Sequence, residues 1–436
     1  VSGLRGDETV RGLRREIAAG AGSQTWLRLA HELERRSGAD DALLVLFDAL
    51  KQFPKDPDVT LAIGKFRGPA PGPWGAPCAD GKNTRLSPAK GPRGLEGKVL
   101  QRTLVAPTAA AGFTLAQNER TTIPPRLKAP LVVGARVYTF LEARRFLAVT
   151  ADGHAVTQNF GATGHEWSLE RDGKRPWSHF FPHETDDMDA WSEPHAAIGP
   201  DATIYGVTSP RKLIAFEPDG TRRYTLDLPA KVTSLALDAE RGKLHLAYDQ
   251  PAALSTRDLA TGVETGFLEL GQLVAVSEAI VCPDGRVVCL SPFGLIGIVN
   301  LEGKLEHETR CAERISGAFG ALSPWGELVV VSFDPKGALV SLFDPATGGR
   351  RGSFEAPECA GIPAIDAEGT IYLDGGARGH AFGFDLVSGT VRYKLDRDTL
   401  WRSPEQGLFT TFSLAEGELL FVQLEKGGVT LLRAGA

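Results

Sequence analysis

Along the first 66 residues apolar positions recur at intervals of three and four, as in Leu27, Ala30 and Leu33 and again in Ala42, Val45, Leu46, Ala49 and Leu50. This is the period of amphipathic helices. Asp40 and Asp41 offer an N-cap and Pro54 a stop, so the spacing predicts a helical hairpin over 24–36 and 39–53. From residue 98 onward the period becomes two, or collapses into short continuous apolar runs broken by Gly, Pro and Asp, which is the pattern of an all-β region.

Within that region one unit repeats: a small-apolar strand, a turn, a β-branched strand, a second turn, an apolar strand, an Asp/Gly turn and a more polar strand. It is clearest over 362–394. The matching turns end at Gly220, Gly262, Gly303, Gly348 and Gly389, which are 42, 41, 45 and 41 residues apart. Four-stranded units at such regular spacing predict the blades of a β-propeller. Inner strands start near Leu131, His195, Thr233, Glu278, Phe319, Ile362 and Leu408, giving an all-β, seven-bladed β-propeller, with eight blades as the alternative. The last unit ends at Ala436, one strand short. Residues 99–106 (VLQRTLVA) supply a strand that can fill the gap and so remove an open edge. The organisation expected is a helical segment over 1–66, a Pro/Gly-rich basic linker over 67–97 and the propeller over 98–436.

Two resemblances rest on particular residues. Trp26, Leu29, Ala30, Leu33, Ala42, Leu46, Ala49 and Pro54 fall at the spacing of a tetratricopeptide repeat, with Leu33 where Tyr is usual. A single such repeat needs something to cover its faces. In the β region, Gly369-Thr-Ile-Tyr372, Asp258-Leu-Ala-Thr-Gly262, Asp344-Pro-Ala-Thr-Gly348 and Asp385-Leu-Val-Ser-Gly389, with the lead-in 83–92, resemble the quinoprotein-like (PQQ-type repeat) propellers, a group that includes bacterial outer-membrane-assembly lipoproteins. The family's blade-closing Trp has a counterpart at Trp167, with Tyr224 and Tyr393 elsewhere. The resemblance implies a propeller but not the quinone: PQQ is not expected, because a quinone-dependent dehydrogenase of this type needs a vicinal disulfide and no two of the five Cys are adjacent.

Composition narrows the function classes. The chain of 436 residues carries a net charge of -6, unevenly: residues 67–130 hold 10 basic and 3 acidic groups, and 131–436 hold 28 and 41. An acidic body repels phosphates, so no nucleic-acid partner is expected, and the basic stretch is expected to lie against that body. Five scattered Cys make neither a disulfide framework nor a zinc site and point to a reducing compartment. Counting outward from Asp284-Gly285 pairs Cys289 with Ile280 and sets Cys282 diagonal to it. Because the sequence has no signal peptide and no membrane span, a cytoplasmic location is expected, with export to the cell envelope as the alternative if a leader precedes Val1. No Gly-rich phosphate loop, GxSxG elbow or converging carboxylates occur, so the chain is not expected to be an enzyme.

Three long fourth-to-first connections, 108–130, 160–194 and 396–407, would be neighbours on one propeller face, where binding is expected. The stretch 177–195 is the richest in chemistry. Trp177, Phe180, Phe181 and Trp191, together with Trp401, form a candidate rim for a protein or peptide partner. His179, His183, Asp186, Asp187, Asp189 and His195 are the alternative, a set of imidazole and carboxylate ligands for a divalent metal; Pro182 spoils a helical His-x-x-x-His pair. The expected function is a non-enzymatic scaffold holding a protein or peptide on the loop-rich face; the alternative is a metal-binding propeller or metal-dependent enzyme.

Overall fold

The computed structural model describes residues 2–37, 39–54, 56–67, 85–107, 131–133, 136–138, 144–150, 152, 154–161, 164–171, 174–182, 195–209, 211–271, 273, 275–312, 315–334, 337–357, 359–375, 381–395, 412–425 and 428–435. Four helices open the chain: α1 (Ser2–Ala18), α2 (Ser23–Ser37), α3 (Ala39–Gln52) and α4 (Pro57–Arg67). The hairpin of α2 and α3 buries Trp26, Ala30, Ala42, Leu46 and Ala49 between them. Asp56 caps α4 by accepting from the amides of Asp58 (2.9 Å) and Val59 (3.2 Å), and Pro57 follows at the first helical position, where a missing N–H costs nothing.

Among the described residues, the regular structure after the helices is strand, save one 3-10 turn at Ala239–Arg241. β1 (Gly94–Pro107) is followed by a two-stranded ribbon, β2 (Leu131–Val133) and β3 (Arg136–Tyr138), and by β4 (Arg144–Val149), β5 (Ala155–Gly161), β6 (Gly164–Arg171) and β7 (Lys174–Pro182). The last four form one antiparallel meander. Five more meanders of four strands follow over 196–227, 232–269, 278–310, 317–357 and 360–395. A seventh unit takes three strands from 413–435 and its fourth from β1, whose residues 98–107 pair antiparallel with 428–435. The expected closure by 99–106 is therefore present. The same strand, at Gly94 and Gly97, pairs in parallel with Tyr393 and Leu395 of the sixth unit, so β1 stitches two units into one sheet.

The first unit is a correction. Its inner strand is β4, not the stretch at Leu131, which as β2 forms a separate ribbon with β3 beside β4 and the inner strand Ser413–Ala415. Residues 164–182, expected to lie in a long connection, are its third and fourth strands. The physical reason is alternation: His165, Trp167 and Leu169 on β6, and Trp177, His179 and Phe181 on β7, share one side of the sheet at period two.

Apolar burial is concentrated between successive units. Five clusters each draw from two neighbouring meanders, for instance Trp167, Leu169, Ile204 and Phe216 between the first and second, and Ala247, Leu254, Val287 and Cys289 between the third and fourth; a sixth joins the sixth and seventh units with Val149 of the first. Second strands such as Val287–Leu290 are buried throughout, whereas outer strands such as Glu264–Glu269 alternate exposed and half-buried positions. Trp167 fits because residue 206 is glycine: a Cβ there would lie 2.3 Å from its ring. The Asp-to-Gly turns share one chemistry. At Asp258, Asp344 and Asp385 the carboxylate accepts from backbone amides two or three residues on, and Gly262, Gly348 and Gly389 close the turn at positive φ. In the fourth unit the register is Ala279 to Cys289, one residue from the pairing expected with Ile280. Cys289 therefore packs toward the third unit and Cys282 toward the fifth, and burial pushes each thiol up to about 12.

Strand parity separates two faces. First-to-second and third-to-fourth turns lie on one, which we call the turn face; second-to-third and fourth-to-first connections lie on the other, the connection face. The helices sit on the turn face. Ala202, in the turn 199–203 of the second unit, is buried in the helical core, Asp152 of the first unit donates its amide to the Phe66 carbonyl (2.7 Å), and a Cβ at Gly64 would come within 2.2 Å of the Pro200 carbonyl oxygen.

The described part of the basic stretch does lie on the acidic body. Arg85, 6% exposed, spans the inner strands of three units: its guanidinium pairs with Glu278 (2.8 and 2.5 Å) and bonds the Gly320 carbonyl, while its carbonyl accepts from the Ile365 amide (3.1 Å) and the Ser87 amide donates to the Ile365 carbonyl (2.8 Å). Lys90 meets Glu368 at 3.0 Å, and Arg93 meets Glu368 and the buried Asp366. Removing one partner of a buried ion pair leaves the other uncompensated, at about 3 kcal/mol or more. Arg85→Met is therefore expected to lower the free energy of unfolding by about that much, and Arg85→Met/Glu278→Leu to recover most of it. Denaturant melts of the two variants test this, and equal losses in both would contradict it.

Candidate functional site

The residues expected at a binding rim sort by strand alternation on β7. Trp177 and Phe181 point inward and are 8% and 9% exposed; both pack on Phe216 of the second unit, at 5.0 and 6.4 Å between ring centroids. Arg222 lies over the Phe181 ring at 5.2 Å, and His165 stacks on its other side at 5.6 Å. Phe180 takes the opposite side of the strand and is 55% exposed. It stands immediately before the end of β7, where the chain leaves for 183–194.

His179 shares the inward side. Its ring stacks on Phe216 at 4.8 Å, and Nε2 lies 2.7 Å from the Gly220 carbonyl oxygen. A carbonyl only accepts, so Nε2 carries the proton and donates, leaving Nδ1 as the nitrogen with a free lone pair. His195 is half-buried at the entry to the second unit, where its carbonyl accepts from the Val207 amide (3.0 Å). Trp191, Trp401, His183, Asp186, Asp187 and Asp189 lie outside the described residues. Among the described residues, no group of three or more His, Cys, Asp or Glu side chains is placed to hold a metal ion, and no helix is long and apolar enough to cross a membrane.

Chain topology brings the long connections together. β1 ends into 108–130, β7 into 183–194 and the outer strand of the sixth unit (Val391–Leu395) into the stretch before Phe412. All three are fourth-strand ends, so all leave on the connection face. They belong to the seventh, first and sixth units, which are consecutive around the structure with the β2–β3 ribbon among them. The turn face of the same structure carries the helices and the threaded segment 85–93. A cavity of about 540 Å³ opens there, lined by Leu86, Ser87 and Pro88 and by the first turns of the third to sixth units.

Two polar clusters escaped the sequence reading. Thr150 donates to Asp152 Oδ1 at 2.5 Å, and His154 Nδ1 stands 3.0 Å from Oδ2; this group lies under α4 and fixes the turn on which the helix rests. Arg223 meets Glu217 at 2.7 Å, Asp201 at 3.1 Å and the Tyr205 hydroxyl at 3.2 Å, bracing the second turn beneath the helices. Charge asymmetry in the sequence signalled such pairing in general, but residues 22 positions apart give no local pattern to read.

No family model matches the chain, and a search of curated proteins finds no match. Solved structures do resemble it. BamB from Moraxella catarrhalis is 13% identical, with 77% of this chain and 97% of that one covered and a TM-score of 0.49. A virginiamycin B lyase from Staphylococcus aureus is 12% identical, covering 66% and 93%, with a TM-score of 0.48. A streptogramin B lyase is 13% identical, covering 65% and 91%, with a TM-score of 0.46. These are β-propeller proteins of the same general kind, one assigned no reaction by its description and two described as lyases. At such identities they assign this chain no activity.

The opposite orientations of Trp177 and Phe180 give opposite expectations. Trp177→Ala leaves a cavity between two units and should cost about 3–5 kcal/mol, whereas Phe180→Ala should stay within about 0.5 kcal/mol of the parent. Thermal and denaturant unfolding measure both, and a Phe180→Ala loss as large as that of Trp177→Ala would contradict the alternation.

Proposed function

We propose that this protein is a non-enzymatic scaffold that holds a protein or peptide partner on its connection face, over the sector where the strands leading into 108–130, 183–194 and 396–411 end. The observation that carries this reading is the convergence of three fourth-strand ends on one face of consecutive units, with the exposed ring of Phe180 at the root of one of them. Large aromatic side chains on such a rim suit protein recognition, since they bury much area at small entropic cost; Trp191 and Trp401 are the further anchors in this reading. The turn face is less suitable because the protein's own helices and the segment 85–93 already occupy it. In the same reading the ring has eight sectors: seven blades of four strands, and the ribbon β2–β3 as a rudimentary one. Four buried free thiols at Cys282, Cys289, Cys311 and Cys359 support a reducing compartment, and we place the protein in the cytoplasm.

The test is capture with the purified chain as bait. The wild-type protein is expected to retain a partner from its native source that Phe180→Ala/Trp191→Ala loses, while Val387→Ala, an exposed change on the turn face, retains it. Unfolding midpoints of the three baits should agree within a few degrees. Retention by the double variant would move the partner off this rim.

A further inference from the structure

His245 is out of place for its position. It sits on the second strand of the third unit (Lys243–Tyr248), on the side that packs toward the fourth unit. The same side of the second strand in other units carries Val156, Tyr205, Val288, Val329 and Tyr372, all packed into the core with the following unit. His245 is 4% exposed. Its Nδ1 lies 3.1 Å from the Thr256 hydroxyl, while its Nε2 is buried and has no hydrogen-bond partner. A buried polar atom without a partner is costly, and a Val here would avoid the cost. Instead of packing, the imidazole lines a groove of about 270 Å³ between the third and fourth units, open at the turn face.

Strand register orders that groove from floor to mouth. At the floor Ala247 pairs with Leu254 and Leu254 with Leu268, facing Val287 and Val299 across the gap. One step up, Ala236, His245, Thr256 and Gly266 stand side by side. The space is opened by Gly266, where a Cβ would meet nothing nearer than Thr256 Cβ at 3.8 Å. At the mouth stand Lys243, whose ammonium reaches only the Leu301 carbonyl at 3.4 Å, and Arg241, which contacts Asp238 at 3.3 Å. Two carboxylates also border the mouth, but both are engaged locally: Asp258 by the Thr261 hydroxyl and amide, which hold it below the usual carboxylate range, and Glu302 by Lys304.

We propose that this groove is a binding site for a small organic carboxylate, with its apolar body on the floor and its carboxylate bonded by His245 Nε2 and Lys243. The groove lies just under the common size range of ligand pockets, about 300–1,000 Å³, and therefore takes a short-chain or single-ring acid. Burial pushes the imidazole down to about 4, so His245 is neutral at neutral pH. With the Thr256 hydroxyl donating to Nδ1, the single ring proton sits on Nε2 and points at the ligand. The site is on the face opposite the proposed partner rim and is independent of it.

Calorimetric titration of the full chain with benzoate and butyrate, and with the neutral benzamide and butanamide, tests the assignment. At least one acid is expected to bind, its amide at least tenfold more weakly. His245→Val, which installs the residue of the neighbouring units, and Gly266→Leu, which fills the groove from an ordinary backbone position, are each expected to weaken the acid at least tenfold, with Lys243→Met weakening it less. The proposal is overturned by absence of binding for both acids, by equal affinity for acid and amide, or by unchanged affinity in both His245→Val and Gly266→Leu. If either variant fails to fold, the other decides.

Discussion

The fold depends on one pairing between residues far apart in sequence. The seventh unit has only three strands of its own, and its outer edge would present a row of unpaired amides and carbonyls were β1 not laid against 428–435. A meander of three strands buries its apolar face poorly, and the cluster holding Leu414, Leu420 and Phe421 also needs the sixth unit to stay in place. β1 secures both, pairing antiparallel with one unit and parallel with the other. Such a contact forms only after some three hundred residues are in position, so its chain-closure entropy is large and its loss would open the whole assembly rather than one unit.

The path that delivers β1 has consequences of its own. Residues 85–93 cross the inner strands, and donors along the way find acceptors on the body: the Ser87 amide on Ile365, the Gly91 amide on Asp366, the Arg85 guanidinium on Glu278. Asp366 is fully buried, yet it also accepts from the Thr370 and Glu368 amides, so its charge is distributed over several donors rather than resting on one ion pair. The excess of basic residues over 67–130 and of acidic residues beyond 131 is thus partly a structural complement. Among the described residues that complement is spent inside the molecule and on its turn face.

Legibility in the sequence followed turn chemistry. Three turns are Asp-x-x-x-Gly, legible because the carboxylate catches the following amides, and all five, at Gly220, Gly262, Gly303, Gly348 and Gly389, close on a glycine at positive φ. The sequence of the first unit carries no Asp-x-x-x-Gly before 174–182, and its mixture of aromatic and charged residues at 177–181 reads as surface. Period-two spacing of Trp177, His179 and Phe181 was the signal that those rings belong to an interface between units. The groove at His245 had no comparable signal. A lone histidine in Lys243-Leu-His-Leu-Ala-Tyr248 reads as a satisfied core residue, and only the register shows that it stands beside Thr256 and Gly266, with its buried Nε2 unpartnered.

Because burial is partitioned into clusters between successive units, the molecule can vary locally without global penalty, in the manner of other repeat architectures whose energetics are nearest-neighbour. A substitution inside one cluster acts there: replacing an apolar residue by histidine at position 245 costs burial energy in the interface of the third and fourth units alone. That cost sits far around the ring from the β1 closure. Neither unit contributes a strand to the closing sheet, and the two share an interface that holds eleven buried apolar residues.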